Sequence, residues 1–254
     1  MNTFVLTGTS SDFTTYYIPP LRLDPSIHYE AALLSIDLYY SFPSIIPENN
    51  RLIYSTDLGT TWKAITLDTG SYELTHINDE IQRQMIGNDD YDKDNKKSYV
   101  NITANVSKLK SIVEITNLNY MVDLDTLGPT LGFPLHSTPL PLGYHESPNV
   151  VDIMKINSIL VNVDIISGSY VNSSQSPVIY SFFPNVAPGR KIVERPNPSL
   201  IYYPINRFNI DSIRVWLTDQ DNKPVDVRGE RVTVRIAIRS REARLCCRKA
   251  SPNF

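Results

Sequence analysis

Residues 231–239 read RVTVRIAIR and show the most regular strand pattern in the chain. Every second residue is apolar, namely Val232, Val234, Ile236 and Ile238. Neighbouring side chains of a strand point to opposite faces, so this alternation predicts a strand with one face in a core. The other face is predicted to point outwards and carries Arg231, Thr233, Arg235, Ala237 and Arg239.

Similar strand patterns recur along the rest of the chain. Residues 150–166 place Ile159, Val161, Val163 and Ile165 on one face, and residues 206–218 do the same with Ile213, Val215 and Leu217. Residues 29–40 form a long apolar run whose Ala and Leu content also suits a helix. We interpret this run as a strand because Pro25 and Pro43 bound it and its neighbours have strand patterns.

One segment has clear helical periodicity. Ile77, Ile81 and Met85 recur every four residues, Thr75 suits the N-cap, and Gly87 suits the end. A second short helix is predicted over residues 124–131. Roughly ten strand candidates without a βαβ rhythm predict an all-β fold, which is a sandwich or jelly roll of antiparallel strands. We expect a single jelly-roll β-sandwich with elaborated loops and one or two short helices.

The composition is that of a globular protein. The chain has 254 residues, which suits one all-β domain or two small ones, and its formal net charge is −3. Cys246 and Cys247 are adjacent, and vicinal cysteines rarely form a bridge, so we expect no disulfide framework and assembly in a reducing compartment. The N-terminus does not resemble a signal peptide, and no apolar run approaches the ~20 residues of a membrane span.

No local pattern predicts a catalytic, cofactor or metal site. Residues 90–95 imitate the start of a calcium loop, but Asn95 replaces the turn glycine and Asn101 the closing glutamate. The histidines are not spaced as metal-ligand pairs; they are His28, His76, His136 and His145. A nucleophile elbow, a P-loop and a dinucleotide-binding fingerprint are all missing from the sequence. We therefore expect a protein that is not an enzyme and binds no cofactor or metal.

The C-terminal end is basic, although the whole chain is slightly acidic. The candidate basic surface consists of arginines on the last strand and the following tail: Arg231, Arg235, Arg239, Arg241 and Arg244. One interpretation is a solvated strand face. The other is a surface that meets nucleic acid or an acidic partner. No aromatic residues interleave with these arginines in the sequence, so we do not expect recognition of specific bases.

The order of several motifs resembles a known family. In the C-terminal half these are Ile156–Ile166, Gly168–Asn172, Ile179–Pro184, Tyr203–Ile205, Ile210–Val215, Thr218–Asp226 and Gly229–Ile236. In the N-terminal half, Tyr29–Ile36 is similar to a family strand that begins WEVAL, with Tyr29 in place of the tryptophan. Gly70–Tyr72 and Leu127–Phe133 also fit. This order resembles the minor capsid (penton) proteins of Polinton/Maverick elements and adintoviruses.

The resemblance implies a function as well as a fold. It implies a single jelly roll that forms a homopentamer at the icosahedral vertices of a virion and contacts trimers of a double jelly-roll major capsid protein. Further expected partners are a vertex fibre and genomic DNA, the latter through nonspecific contacts with the basic surface, which would face the particle interior. The chain would assemble inside the host cell. The expected organisation is a capsid domain over residues 1–240, with a helix-bearing insertion over 75–135, and a basic tail over 241–254.

Two other functions stay open at this point. A β-sandwich module that binds carbohydrate or another ligand would use Tyr-rich loops, including Tyr39-Tyr40 and Tyr202-Tyr203. A jelly-roll hydrolase would need two facing carboxylates, which a single sequence does not exclude.

Overall fold

The computed structural model describes residues 1–196 and 199–241. In this part of the chain, three 3-10 turns cover Pro47–Asn49, Asp125–Leu127 and Pro129–Leu131. The strands and the α-helix are β1 Asn2–Gly8, β2 Asp12–Arg22, β3 Tyr29–Tyr39, β4 Arg51–Ser55, β5 Lys63–Thr66, α1 Leu74–Gly87, β6 Tyr91–Asp92, β7 Lys97–Ser98, β8 Val100–Asn105, β9 Lys110–Ile115, β10 Met121–Asp123, β11 Gly143–Glu146, β12 Ile159–Val163, β13 Ser169–Val171, β14 Ser174–Ser176, β15 Val178–Phe182, β16 Lys191–Glu194, β17 Tyr203–Pro204, β18 Asn209–Thr218 and β19 Val232–Ser240.

The chain divides into two compact units. The first comprises Met1–Tyr40 and Asn157–Phe254, and the second comprises Ser41–Ile156. The second unit is therefore inserted into the first between β3 and β12. The helix-bearing insertion expected over residues 75–135 lies inside this longer segment. The domain limits 1–240 and 241–254 stay predictions.

The regularly alternating residues Val232–Arg239 lie in β19, an inner strand of the first sheet. The strand order is β1-β19-β3-β16, β17 also pairs with β3, and every pairing is antiparallel. Val234 lies between Leu6 of β1 and Ile36 of β3, and all three side chains are fully buried. Val232, Ile236 and Ile238 are buried as well, so the predicted inward face of this strand is confirmed.

The second sheet of the first unit has the order β15-β12-β18-β2 and is also antiparallel. Its inner strands β12 and β18 bury the apolar residues that the alternating patterns predicted, which are Ile159, Val161, Val163, Ile213, Val215 and Leu217. The two sheets meet through side chains such as Phe4 of β1 and Tyr17 of β2, whose rings pack edge to face with centroids 5.7 Å apart.

The strand order identifies the architecture of the first unit. In chain order its eight main strands are β1, β2, β3, β12, β15, β16, β18 and β19. The first, eighth, third and sixth of these form one sheet, and the second, seventh, fourth and fifth form the other. This is the order produced by two nested Greek keys. The expected jelly-roll sandwich of antiparallel strands is confirmed.

The inserted unit has its own strands and its own core. Two three-stranded sheets have the orders β10-β4-β5 and β11-β9-β8. Antiparallel hairpins join β4 to β5 and β8 to β9. Helix α1 packs against β8. The core of this unit includes Tyr54, Leu52, Ile77, Ile81, Met85, Val113 and Val122, each at most 1% exposed.

The helix bounds differ slightly from the prediction. Helix α1 begins at Leu74 with Glu73 as its N-cap, so Thr75 lies in the first turn and the predicted cap is wrong. The Glu73 backbone N–H donates to Nδ1 of His76 at 3.3 Å, which satisfies one of the donors that a helix start leaves unpaired. The predicted buried face and the end at Gly87 are confirmed. The short helix expected over 124–131 is a pair of 3-10 turns.

Candidate interaction surface

The candidate arginines take different positions around β19. Arg235 and Arg239 lie on its exposed outer face, Arg231 directly precedes the strand, and Arg241 directly follows it; all four are exposed. Arg244 lies outside the described residues. Among residues 1–196 and 199–241, no carboxylate lies within ion-pair distance of Arg231, Arg235 or Arg241. The charges of these three arginines are therefore available to a partner.

Unlike these three arginines, Arg239 has an ion-pair partner within the fold. Its directly opposite neighbour on β3 is Glu30. Nε of Arg239 donates to Oε1 of Glu30 at 2.6 Å, and Nη2 lies 2.6 Å from the same oxygen. The guanidinium carbon also lies 3.3 Å from the ring centroid of Tyr202, a cation–π contact. Arg239 thus joins the strand face to the segment that precedes β17.

Ala237 does not fit the picture of a solvated outer face. It alternates with the inward residues of β19 and so points outwards, but it is fully buried. Its cross-strand neighbours are Thr3 on β1 and Ala32 on β3, and Ala32 is also fully buried. The sequence predicted a solvent-facing residue here, and that prediction is wrong because the middle of the outer face is covered.

An open pocket of about 1300 Å³ adjoins the end of β19. Its walls come from segments that are far apart in the sequence: the start of β3, the end of β19 and residues 202–208. The lining includes His28, Tyr29, Tyr202, Phe208, Arg239 and Arg241. Aromatic rings and arginines therefore share one concave site.

The order of residues along the chain does not reveal this arrangement. No aromatic residue interleaves with the arginines along the chain, but the fold brings Tyr202 onto Arg239 and places Phe208 in the same pocket. The partner glutamate, Glu30, is also brought from far away in the sequence. Only the tertiary pairing of β3 with β19 juxtaposes these groups, and no local pattern signals it.

A second charged cluster lies on the other sheet and had no signal in the sequence. Nε of Arg214 donates to Oδ1 of Asp12 at 2.8 Å, and the Arg214 guanidinium lies 5.0 Å from the Trp216 ring centroid. The hydrogen bond from Arg214 lowers the pKa of Asp12 below its usual value. Asp164 accepts from the Arg214 backbone N–H and from Nη2 of Arg207. These groups pair with one another, which is typical of structural ion pairs, although the buried Nε of Arg207 has no hydrogen-bond partner among the described residues.

Several of the acidic and histidine residues considered for metal binding make local contacts. Asp90 accepts from the Tyr54 hydroxyl at 2.7 Å and from Nζ of Lys63 at 2.5 Å. Burial, followed by this carboxylate, raises the pKa of Tyr54 far above its usual value. Asp92 accepts from the backbone of its own turn. In the described ranges no group of three or more His, Cys, Asp or Glu residues is placed to hold a metal ion.

Nε2 of His145 lies 2.8 Å from the carbonyl oxygen of Pro141, so this histidine makes a hydrogen bond within its own segment. In the described part of the chain no helix is long and apolar enough to span a membrane.

Comparison with known proteins gives a structural match. No protein-family model matches the chain, and no curated protein matches it. The crystal structure of the SeMet-labelled mavirus penton protein matches with a TM-score of 0.51 at 12% sequence identity, covering 94% of this chain and 99% of that chain. The D2-D3 domains of the flagellar cap protein FliD from Escherichia coli give a TM-score of 0.16 at 13% identity, covering 94% of this chain and 99% of that chain. The chain therefore has the fold of a mavirus penton protein.

Proposed function

We propose that this chain is a penton subunit, a minor capsid protein that occupies the icosahedral vertices of a virion. The observation that carries the proposal is the jelly-roll strand order, together with the likeness to a mavirus penton protein over 94% of the chain. The ordered strand motifs that resemble Polinton/Maverick and adintovirus pentons add support, and we propose that the chain belongs with them. The proposed role is structural and requires no catalytic group.

In this proposal the chain forms a homopentamer. A ring requires that two different surfaces of the subunit meet at each contact, so both flanks of the jelly roll need apolar contact area. Exposed apolar side chains are present on both: Val5 (57%) and Tyr16 (75%) on β1 and β2, and Val193 (46%) on β16 with Phe183 (70%) just after β15. Exposed apolar groups of this size mark interaction sites when they form a patch. The outer contacts of the ring would be with trimers of a double jelly-roll major capsid protein.

The test is the oligomeric state of the purified full chain. We expect light scattering after size exclusion to give about five times the 28.8 kDa chain mass, and electron microscopy to show rings with five-fold symmetry. Val193→Asp should shift the mass towards the monomer. The control is Val106→Asp, which makes the same substitution at a valine that is 77% exposed on the β8–β9 turn of the inserted unit.

A strictly monomeric wild-type chain that never associates with particles would contradict the penton proposal. If that monomer also gave clear hits on a glycan array, the carbohydrate-binding alternative would take its place. The structure supports the glycan alternative less well, because Tyr202, one of its candidate tyrosines, already stacks on Arg239.

We further propose that the basic surface faces genome or neighbouring subunits inside the particle. Its members are Arg231, Arg235, Arg239, Arg241 and Arg244. Arg235 is the best probe, because it is exposed and lies between Val5 and Ser35 without a carboxylate partner among the described residues. Arg239 is a poorer probe, since charge reversal there would also place two carboxylates opposite each other.

Arg235→Glu should therefore lower the yield of filled particles in cells that also make the major capsid protein. Lys223→Glu makes the same charge change at an exposed turn outside the proposed surface and serves as the control. Equal yields of filled particles from the two variants would contradict the proposal that the basic surface faces the particle interior. They would leave the penton assignment in place.

A further inference from the structure

The pocket at the end of β19 has the chemistry of an anion-binding site. Arg241 lines it and has no carboxylate partner in the described part of the chain. Arg239 uses Nε and Nη2 for Glu30, and a guanidinium has five N–H donors, so its exposed side chain retains donors for an incoming anion. His28 lines the same pocket. Glu30 is the opposing carboxylate in the lining, and Arg239 compensates it.

The same pocket offers aromatic rings. Phe208 is 45% exposed, a large fraction for a phenylalanine that lines a concave site. Tyr202 lies against the guanidinium of Arg239, which places an arginine and an aromatic ring in one stack. Arginine next to exposed rings is the combination that binds the phosphates and bases of single-stranded nucleic acid without sequence preference.

The backbone around the pocket is already paired. The Arg241 N–H donates to the carbonyl of His28 at 2.7 Å, and the Ile205 N–H donates to the carbonyl of Tyr29 at 3.0 Å. Pro204 pairs with Glu30 and has no N–H to offer. Peptides that bind at sheet edges depend on unpaired backbone groups. A ligand here would instead be recognised by guanidinium groups and rings, which favours a nucleic acid over an extended peptide.

The charge of the following sequence points to the same class of ligand. Arg241 is both a pocket residue and the last residue before a segment that carries Arg244, Arg248 and Lys249 against one acid, Glu242. Basic residues that directly follow a site in the sequence raise the local concentration of a polyanion. A pocket of about 1300 Å³ is large enough for more than one nucleotide.

We propose that this pocket binds a short segment of single-stranded nucleic acid. A base stacks on Phe208, and phosphates contact Arg241 and the remaining donors of Arg239. The site differs from the outer face of β19, because it depends on residues 202–208 as well as on the strand. The proposal does not depend on the penton assignment.

Fluorescence anisotropy of the full chain with a labelled oligothymidine of about 20 nucleotides tests the proposal. Phe208→Ala should weaken binding about tenfold, the loss expected for one stacked base. Tyr170→Ala removes a ring that is 70% exposed elsewhere in the same unit and should leave affinity unchanged. Arg241→Gln should lower the slope of log affinity against log salt by about 0.7, the value for one phosphate contact on a single strand. Lys223→Gln is the charge-matched control.

Three results would overturn the proposal. The first is no binding of oligothymidine at low salt. The second is equal binding by Phe208→Ala and Tyr170→Ala, which would assign the affinity to the basic tail alone. The third is binding of poly-glutamate but not of oligothymidine, which would make the partner an acidic polypeptide. Light scattering on the same samples reports the oligomeric state separately, so failure here is distinguishable from failure of the penton proposal.

Discussion

At the scale of single residues, the outer face of β19 combines charged positions with a buried one. Arg235 is exposed, whereas Ala237, two residues later on the same face, is fully buried beside Ala32. The small side chains allow this covering. A sequence pattern records that a residue faces outwards, but not whether something lies over it.

Ala237→Lys should therefore lower the free energy of unfolding by at least about 2 kcal/mol. The longer side chain overpacks a filled space, and its ammonium group loses water without gaining a partner. Urea denaturation gives the value. Arg235→Lys places the same lysine two residues away at an exposed site and should change stability by no more than about 0.5 kcal/mol. If Ala237→Lys were as mild as this control, the outer face would be solvated as the sequence predicted.

Arg239 shows a second limit of prediction at this scale. The sequence marks it as a candidate cation, but its partners Glu30 and Tyr202 come from other strands and segments. Its role is therefore partly structural. Arg241 and Arg235 are the better candidates for contact with a partner, because no carboxylate pairs with them among the described residues. Only the register of β3 against β19 reveals that Arg239 is paired while Arg235 is not.

At the scale of elements, regular alternation made the inner strands predictable. β12, β18 and β19 bury one continuous apolar face each, so period-two patterns survive in the sequence. β3 was ambiguous for a physical reason. Its pairing with β19 shifts at Arg235/Ile236, where Ser35 and Leu33 are the successive partners and Leu34 is left over. Such a bulge inserts one residue and breaks the alternation.

Short edge strands were missed. β11 at Gly143–Glu146 lies in a proline-rich stretch without a strand pattern, and β16 at Lys191–Glu194 had no strand pattern either. Both are edge strands of four residues. A short edge strand is paired on one side only and needs few apolar residues, so composition does not mark it. Their positions follow from their partners, β9 and β3.

At the scale of the whole molecule, the class of fold was predictable and the pairing was not. β1 pairs with β19, which is the other end of the described chain, and local sequence carries no information on such a contact. The jelly-roll prediction was based on many strand candidates without βαβ units. The order of the motifs added the resemblance to pentons. The length of the insertion between β3 and β12 had no such signal, because its sheets use the same strand patterns as the jelly roll.

The inserted unit should fold by itself, since its core is built from its own residues. Ile81 of α1 is 1% exposed and belongs to a buried cluster that runs from Ile45 to Phe133. Residues 41–156 expressed alone should therefore unfold cooperatively in urea and give a helical signal in circular dichroism. Ile81→Ala in this fragment should lower the free energy of unfolding by about 2–4 kcal/mol, because it leaves a cavity against the sheet. Ile86→Ala removes an isoleucine that is 44% exposed on the same helix and should cost far less. A fragment that unfolds without a cooperative transition, or that responds equally to both variants, would mean that Ser41–Ile156 is an elaborated loop of the jelly roll rather than a domain.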